Sequence, residues 1–214
     1  MVLQSFALLF PLSSRWDSLL HGLDVTALKF LNGNRVVDLD LLLQTVTVTA
    51  YGLGMLVPVC LYGLGYLNRE VWFKLKAFQF LFAMCLNVLL TGTLKYTVDR
   101  PRPFVTDRAV VQRTEAGSPS FPSGHTAFAF TTAAALGRMF AKVWLRMFVL
   151  AWALLVAYSR LALGVHYPSD VLASVLIGAA SASLAGYAFR EHRGKVLALL
   201  KAARRLNGKG SALP

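Results

Sequence analysis

The chain has 214 residues, of which 56% are hydrophobic and 15% charged, and its mean hydropathy is +0.56. A soluble domain carries about 25% charged residues, so this composition argues against a soluble globule and for a membrane protein, and it excludes a disordered chain, a coiled coil and a disulfide scaffold. The net charge of +12 comes from basic residues placed between and after apolar runs, where membrane orientation and anionic lipid account for them. They are not interleaved with aromatics on a soluble surface, so no nucleic-acid partner is expected.

Residues 1–14 are uncharged but interrupted by Pro11. No basic segment precedes them, so a cleaved signal peptide is not expected. From Arg15 onward Trp16, Leu19, Leu20, Leu23, Ala27, Phe30 and Leu31 recur at helical spacing, with Arg15, Asp17, Asp24 and Lys29 at other positions. That pattern predicts an interfacial helix; a sixth span formed partly from residues 1–14 is the alternative.

A spanning helix needs about 20 mostly apolar residues, and five segments qualify: 42–67, 73–98, 123–140, 144–163 and 169–189. The fourth is short between Arg146 and Arg160, whose long stems can reach toward the two interfaces. Cys60 and Cys85 sit inside apolar runs and read as buried small hydrophobes without a bridge. The expected fold is all-α: a polytopic membrane bundle of five or six transmembrane helices. An interfacial segment covers 1–40, the membrane domain 41–190 and a basic tail 191–214.

Polar residues are expensive near a span, which draws attention to three clusters. Lys95-Tyr-Thr-Val-Asp-Arg100-Pro101-Arg102-Pro103 leaves the second span, and its prolines hold two arginines on a stiff extended segment. Taken alone, it reads equally well as a basic helix end meeting lipid headgroups. Phe121-Pro122-Ser123-Gly124-His125 opens the third span. It reads either as a serine-capped helix or as an anion site made of backbone N–H groups and the helix dipole. Ser159-Arg160-Leu-Ala-Leu-Gly-Val-His166-Tyr-Pro-Ser-Asp170 joins the fourth span to the fifth. Asp170, four residues after His166, can orient the imidazole and leave the other ring nitrogen its lone pair; its plainer role is to meet the dipole at a helix start.

With five alternating spans, all three clusters fall on one side of the membrane. Three cations, a helix N-terminus, two histidines and a carboxylate can then converge on one anion. The set is poor for a metal and suited to phosphoryl transfer, which is mostly positioning and charge neutralisation.

Lys95-x6-Arg102-Pro103, Pro122-Ser123-Gly124-His125 and Ser159-Arg160-x5-His166-x3-Asp170 together resemble the complete three-part signature of the type 2 phosphatidic acid phosphatase superfamily, over about residues 40–190. The resemblance implies that His166 attacks phosphorus, Asp170 orients it, and His125 protonates the leaving oxygen and then activates water. Lys95, Arg102, Ser123, Gly124 and Arg160 would hold the phosphoryl oxygens, with Arg100 and Asp99 as supporting candidates. No metal or other cofactor is implied. The expected activity is hydrolysis of a lipid phosphate or diphosphate, with undecaprenyl diphosphate first among candidates that include phosphatidylglycerol phosphate, phosphatidic acid and a lipid A phosphate. A lipid phosphotransferase and a non-enzymatic lipid-binding protein are the alternatives; vanadium haloperoxidase relatives are soluble and fit less well.

The segments 68–76, 138–146 and the tail from 190 hold 13 of the 22 basic residues and only two acids, Glu70 and Glu191. The positive-inside rule makes these segments cytoplasmic. The site would then face the periplasm or exterior of a bacterial inner or plasma membrane.

Overall fold

In the computed structural model, residues 13–191 and 194 are described, without the side chains of residues 13–18 and 20. Most of the basic tail and the first 12 residues, which bear on the sixth-span alternative, lie outside them. Seven α-helices follow in order: α1 (Ser13–Gly33), α2 (Asp40–Leu67), α3 (Val71–Val98), the short α4 (Pro103–Thr106), α5 (Gly124–Met139), α6 (Val143–Ala162) and α7 (Pro168–Glu191), with a 3-10 turn at Val37–Leu39. The five expected spans fall on the helices α2, α3, α5, α6 and α7, of which α5 is not among the segments long and apolar enough to cross a membrane. The one shift of note is that α3 starts at Val71, so Lys74 and Lys76 lie in its first turns rather than in a connection.

Four segments among the described residues, Val37–Leu67, Val71–Thr106, Val143–Ala162 and Pro168–Glu191, are long and apolar enough to cross a membrane. Helix α5 has 16 residues, about 24 Å of rise, and forms the centre of the bundle. Its buried Ala127, Ala129, Ala133 and Ala135 let neighbouring backbones approach closely, the usual basis of helix packing where lipid removes the hydrophobic drive. Ala50, Ala153, Val156 and Val171 close one core around it, and Leu61, Phe80, Met84 and Ala182 another.

The outer surface is apolar: Leu41, Met55, Val59, Leu89, Phe148, Leu172 and Leu176 are all exposed, as expected where lipid is the solvent. Cys60 and Cys85 belong to that surface and are free and exposed. The expectation that they are buried is therefore wrong: in a bilayer an apolar run does not distinguish core from lipid face. Pro58 lies inside α2, a placement that spanning helices tolerate.

Helix α1 also departs from a simple amphipathic reading. Leu19, Leu23 and Phe30 face outward, whereas Asp24, Leu28 and Asn32, spaced four apart, are buried. Asn32 Nδ2 donates to the carbonyls of Ala162 at 2.8 Å and Val111 at 3.1 Å. Its Oδ1 accepts from the Val111 N–H at 2.9 Å. Asn32 thus ties the helix to the bundle, Leu28 packs into a small core with Val110 and Tyr167, and Leu19, Leu23 and Phe30 look away from it.

Candidate active site

The three sequence clusters meet at one end of the bundle, where α3 ends, α6 ends, and α5 and α7 begin. Helix α3 stops at Asp99, whose left-handed backbone (φ 45°) closes the helix with its N–H on the Lys95 carbonyl. Asp99 is exposed and ends the helix rather than supporting the site. Pro101 and Pro103 then prevent helical continuation and carry Arg100 and Arg102 beneath the connection between α6 and α7.

That connection positions His166. Gly164 turns the chain at φ +72°, and a Cβ there would lie 2.4 Å from the Val111 carbonyl oxygen, so no larger residue fits without displacing backbone. His166 is 2% exposed. Its Nδ1 lies 3.6 Å from Asp170 Oδ2, and Arg102 Nη1 lies 3.3 Å from its Nε2. A guanidinium only donates, so the Nε2 facing it is the lone-pair nitrogen and Nδ1 carries the proton toward Asp170. Burial, helped by repulsion from Arg102 and Arg160 and opposed by Asp170, pushes the His166 imidazole down to about 4. It is neutral at ordinary pH.

Asp170 is fully buried and shared among several donors. Arg100 Nη1 reaches its Oδ1 at 2.6 Å. The Ser120 hydroxyl donates to Oδ2 at 2.5 Å, and the Tyr167 N–H at 3.0 Å. Arg100 is itself held by Asp24 of α1, Nη2 to Oδ2 at 2.8 Å, and its guanidinium lies 3.8 Å above the Tyr167 ring. Ser169 adds to the hold on Asp24: its N–H donates to Asp24 Oδ1 at 2.8 Å, its hydroxyl bonds Asp24 Oδ2, and it accepts from Arg100 Nη1 at 2.7 Å.

The other cations surround the start of α5. Lys95 Nζ donates to the carbonyls of Pro119 at 2.6 Å and Pro122 at 3.2 Å. Arg102 donates through Nε to the Ser118 carbonyl and through Nη1 to that of Val165, both at 2.8 Å. Arg160 is 2% exposed; its Nη1 donates to Thr47 Oγ1 of α2 at 2.9 Å, and its buried Nε has no partner. None of Lys95, Arg102 and Arg160 pairs with a carboxylate among the described residues. Arg102 and Arg160 are buried and Lys95 is half-buried; cations withdrawn from water without an ion-pair partner are costly, and a bound anion would offset that cost.

Ser123 is fully buried at the helix start. Its hydroxyl meets Thr126 Oγ1 at 3.0 Å and makes no capping bond to the backbone, so the simple capped-helix reading fails. The first N–H groups of an α-helix lack intrahelical partners, which leaves those of α5 directed at the site. The His125 ring packs against Tyr51 with centroids 4.4 Å apart. A Cβ on Gly124 would stand 2.7 Å from Tyr51 Oη, so the glycine is needed to admit that tyrosine.

All eight residues expected from sequence thus come together. Asp24, Thr47, Tyr51 and Ser120 were not anticipated. Asp24 carried a signal, an acid inside an amphipathic helix; Thr47 and Tyr51 lie in an uncharged run with none.

The PAP2 superfamily profile matches residues 76–193. The chain belongs to the PAP2 superfamily. It is 28% identical over 211 residues to the lipid A 4'-phosphatase of Bacteroides thetaiotaomicron, covering 91% of this chain and 87% of that protein. It is 26% identical over 170 residues to an undecaprenyl-diphosphatase of Sulfolobus acidocaldarius, covering 73% and 74%. The crystal structure of LpxE from Aquifex aeolicus superposes with a TM-score of 0.66 at 28% identity, covering 76% of this chain and 94% of that one. The fold is also that of a transmembrane PAP2-type phosphatidylglycerolphosphate phosphatase from Bacillus subtilis, TM-score 0.67 at 22% identity, covering 81% and 87%. Family and relatives bear out the expectation of an integral membrane protein and an enzyme of the phosphatase class.

Proposed function

We propose that this protein hydrolyses a lipid phosphate or diphosphate through a phosphohistidine, without a metal. The observation that carries the reading is Arg102 Nη1 standing 3.3 Å from the lone-pair nitrogen of His166, at the end of the bundle where Lys95, Arg160 and the start of α5 also lie and where none of the three cations pairs with a carboxylate among the described residues. An anion site alone needs no nucleophile; here a buried imidazole, with the Asp170 carboxylate 3.6 Å from its Nδ1, stands inside it. Its donors are guanidinium, ammonium and backbone N–H groups, which suit phosphoryl oxygens.

In this reading a phosphoryl group sits between Arg102, Arg160, Lys95 and the backbone of Ser123 and Gly124, which neutralise its oxygens. The His166 Nε2 lone pair forms a bond to phosphorus as the bond to the leaving oxygen breaks, and His125 gives that oxygen its proton. His125 then takes a proton from water, the hydroxide oxygen bonds to phosphorus, and the N–P bond breaks to release phosphate and restore His166. Asp170 supports the positive charge that develops on the ring.

The substrate's chains would lie along the apolar outer helices while its headgroup enters from the interface. The relatives' names direct attention to a lipid A phosphate and to undecaprenyl diphosphate. The distribution of basic residues supports a site on the periplasmic or exterior face, α1 at the interface and a cytoplasmic tail. Phosphate release by detergent-purified protein in EDTA, measured over lipid A, undecaprenyl diphosphate, phosphatidylglycerol phosphate and phosphatidic acid, tests the reading. Release from at least one of these supports it; inactivity on all four, or activity that requires a restored divalent cation, contradicts it.

A further inference from the structure

A cavity of about 830 Å³ lies at the other end of the bundle among the described residues. Four cations from four different helices line it: Lys76 of α3, Arg138 of α5, Arg146 of α6 and Arg190 of α7, with no Asp or Glu among the lining residues. It exists because α5 is short. That helix ends at Met139, and the space beyond is walled by the start of α3 and the last turns of α7.

Lys76 and Lys95 are 19 residues apart on α3, about 28 Å at 1.5 Å per residue. The cavity therefore lies roughly one hydrocarbon thickness from the candidate active site, at the opposite interface. Trp72 and Tyr187 stand in its wall, 38% and 61% exposed, in the manner of aromatic residues at a membrane interface.

Arg138 and Arg146 are each tethered by only part of the donor set. Arg138 Nη2 donates to Ser183 Oγ at 2.7 Å, and Arg146 Nε to the Phe140 carbonyl at 3.2 Å. A guanidinium has five N–H donors. None of the three arginines forms an ion pair among the described residues. Membrane orientation and helix dipoles account for cations near helix ends. Neither accounts for four of them converging on one recess.

We propose that this cavity is a binding site for the phosphate headgroup of an anionic membrane phospholipid, distinct from the catalytic centre. Basic recesses between spanning helices suit such headgroups. The arginines hold the phosphate, and the acyl chains run along the apolar outer surface of the bundle. The proposal is independent of the catalytic reading.

The test is lipid retention by the purified full-length protein in detergent, followed by native mass spectrometry with phosphatidylglycerol, phosphatidylcholine or inorganic phosphate as the probe. The wild type is expected to retain phosphatidylglycerol over phosphatidylcholine, and millimolar phosphate is expected not to displace it. Arg138→Gln/Arg146→Gln/Arg190→Gln should weaken retention roughly a hundredfold, at about fivefold per cation. The single variants Arg138→Gln and Arg146→Gln should each show the smaller loss if the triple variant does not fold. Arg102→Ala/Arg160→Ala, at the far end, should retain phosphatidylglycerol as the wild type does. Equal retention of the two lipids, displacement by free phosphate, undiminished retention in the cavity variants, or loss in the far-end variant would each overturn the proposal.

Discussion

Arg100 Nη1 donates to Asp170 Oδ1 at 2.6 Å, on the carboxylate whose other oxygen faces His166 Nδ1. No contact between Arg100 and the imidazole's lone-pair nitrogen is found, so in the proposed reaction it would act through the Asp170 carboxylate. A hydrogen bond to a charged group is worth about 1.5–3 kcal/mol. Arg100→Met should therefore lower kcat by roughly tenfold to a hundredfold, with little change in KM. Asp24→Asn, which weakens the hold on Arg100, should have a smaller effect of the same kind. A raised KM with unchanged kcat would make Arg100 a substrate ligand.

The cations should behave differently. Removing one preorganised donor at developing charge costs about 100- to 1000-fold in rate, so Arg160→Ala should fall in that range. Thr47→Val leaves the guanidinium in place without its 2.9 Å tether and should cost less. Steady-state phosphate release measures both. Equal losses would make Thr47 itself part of the phosphate site.

Vanadate adopts the five-coordinate geometry of transferring phosphorus, so it should compete with the lipid substrate. Competition should weaken in Arg102→Ala and Arg160→Ala. Noncompetitive inhibition that is unchanged in these variants would place the anion elsewhere.

Acid should act on His166 in a defined direction. The buried imidazole titrates near 4, below its ordinary 6.5, so the unfolded chain takes up this proton first as pH falls. The stability it contributes is fully present above about pH 6.5 and is lost as pH falls toward 4. His166→Gln should therefore lose less Tm than the wild type between pH 7 and pH 4.5, measured by thermal unfolding in detergent. Equal losses would mean that His166 is not buried neutral. For the free enzyme, the fall in kcat/KM caused by protonating His166 should centre near pH 4.

Orientation can be read with single cysteines after replacing Cys60 and Cys85. One at Arg108, an exposed position in the loop after α4, should react with a membrane-impermeant thiol reagent in intact cells or spheroplasts. One at Gly208, in the basic tail, should react only after lysis. The reverse pattern would put the site in the cytoplasm.

The bundle and most of the site could be read from sequence because bilayers penalise misplaced charge. Lys95, Arg102, Arg160 and Asp170 each had a plainer reading alone, and their convergence on one side of the membrane, with the spacing of the three-part signature, set them apart. The same solvent hid the rest. Thr47 and Tyr51 carry no charge and lie in an apolar helix, so nothing separates them from lipid-facing neighbours until α2 is seen against Arg160 and His125. Cys60 and Cys85 were misplaced for the same reason. Asp24 was visible as an acid, but only the folded chain shows it turned inward onto Arg100.

The most direct test of the central claim is rapid quenching of the enzyme with a lipid substrate labelled in its reacting phosphate, in EDTA. The account predicts an acid-labile, base-stable phosphoprotein in the wild type, lost together with turnover in His166→Ala. Phosphate release near the wild-type rate by a folded His166→Ala variant would contradict it.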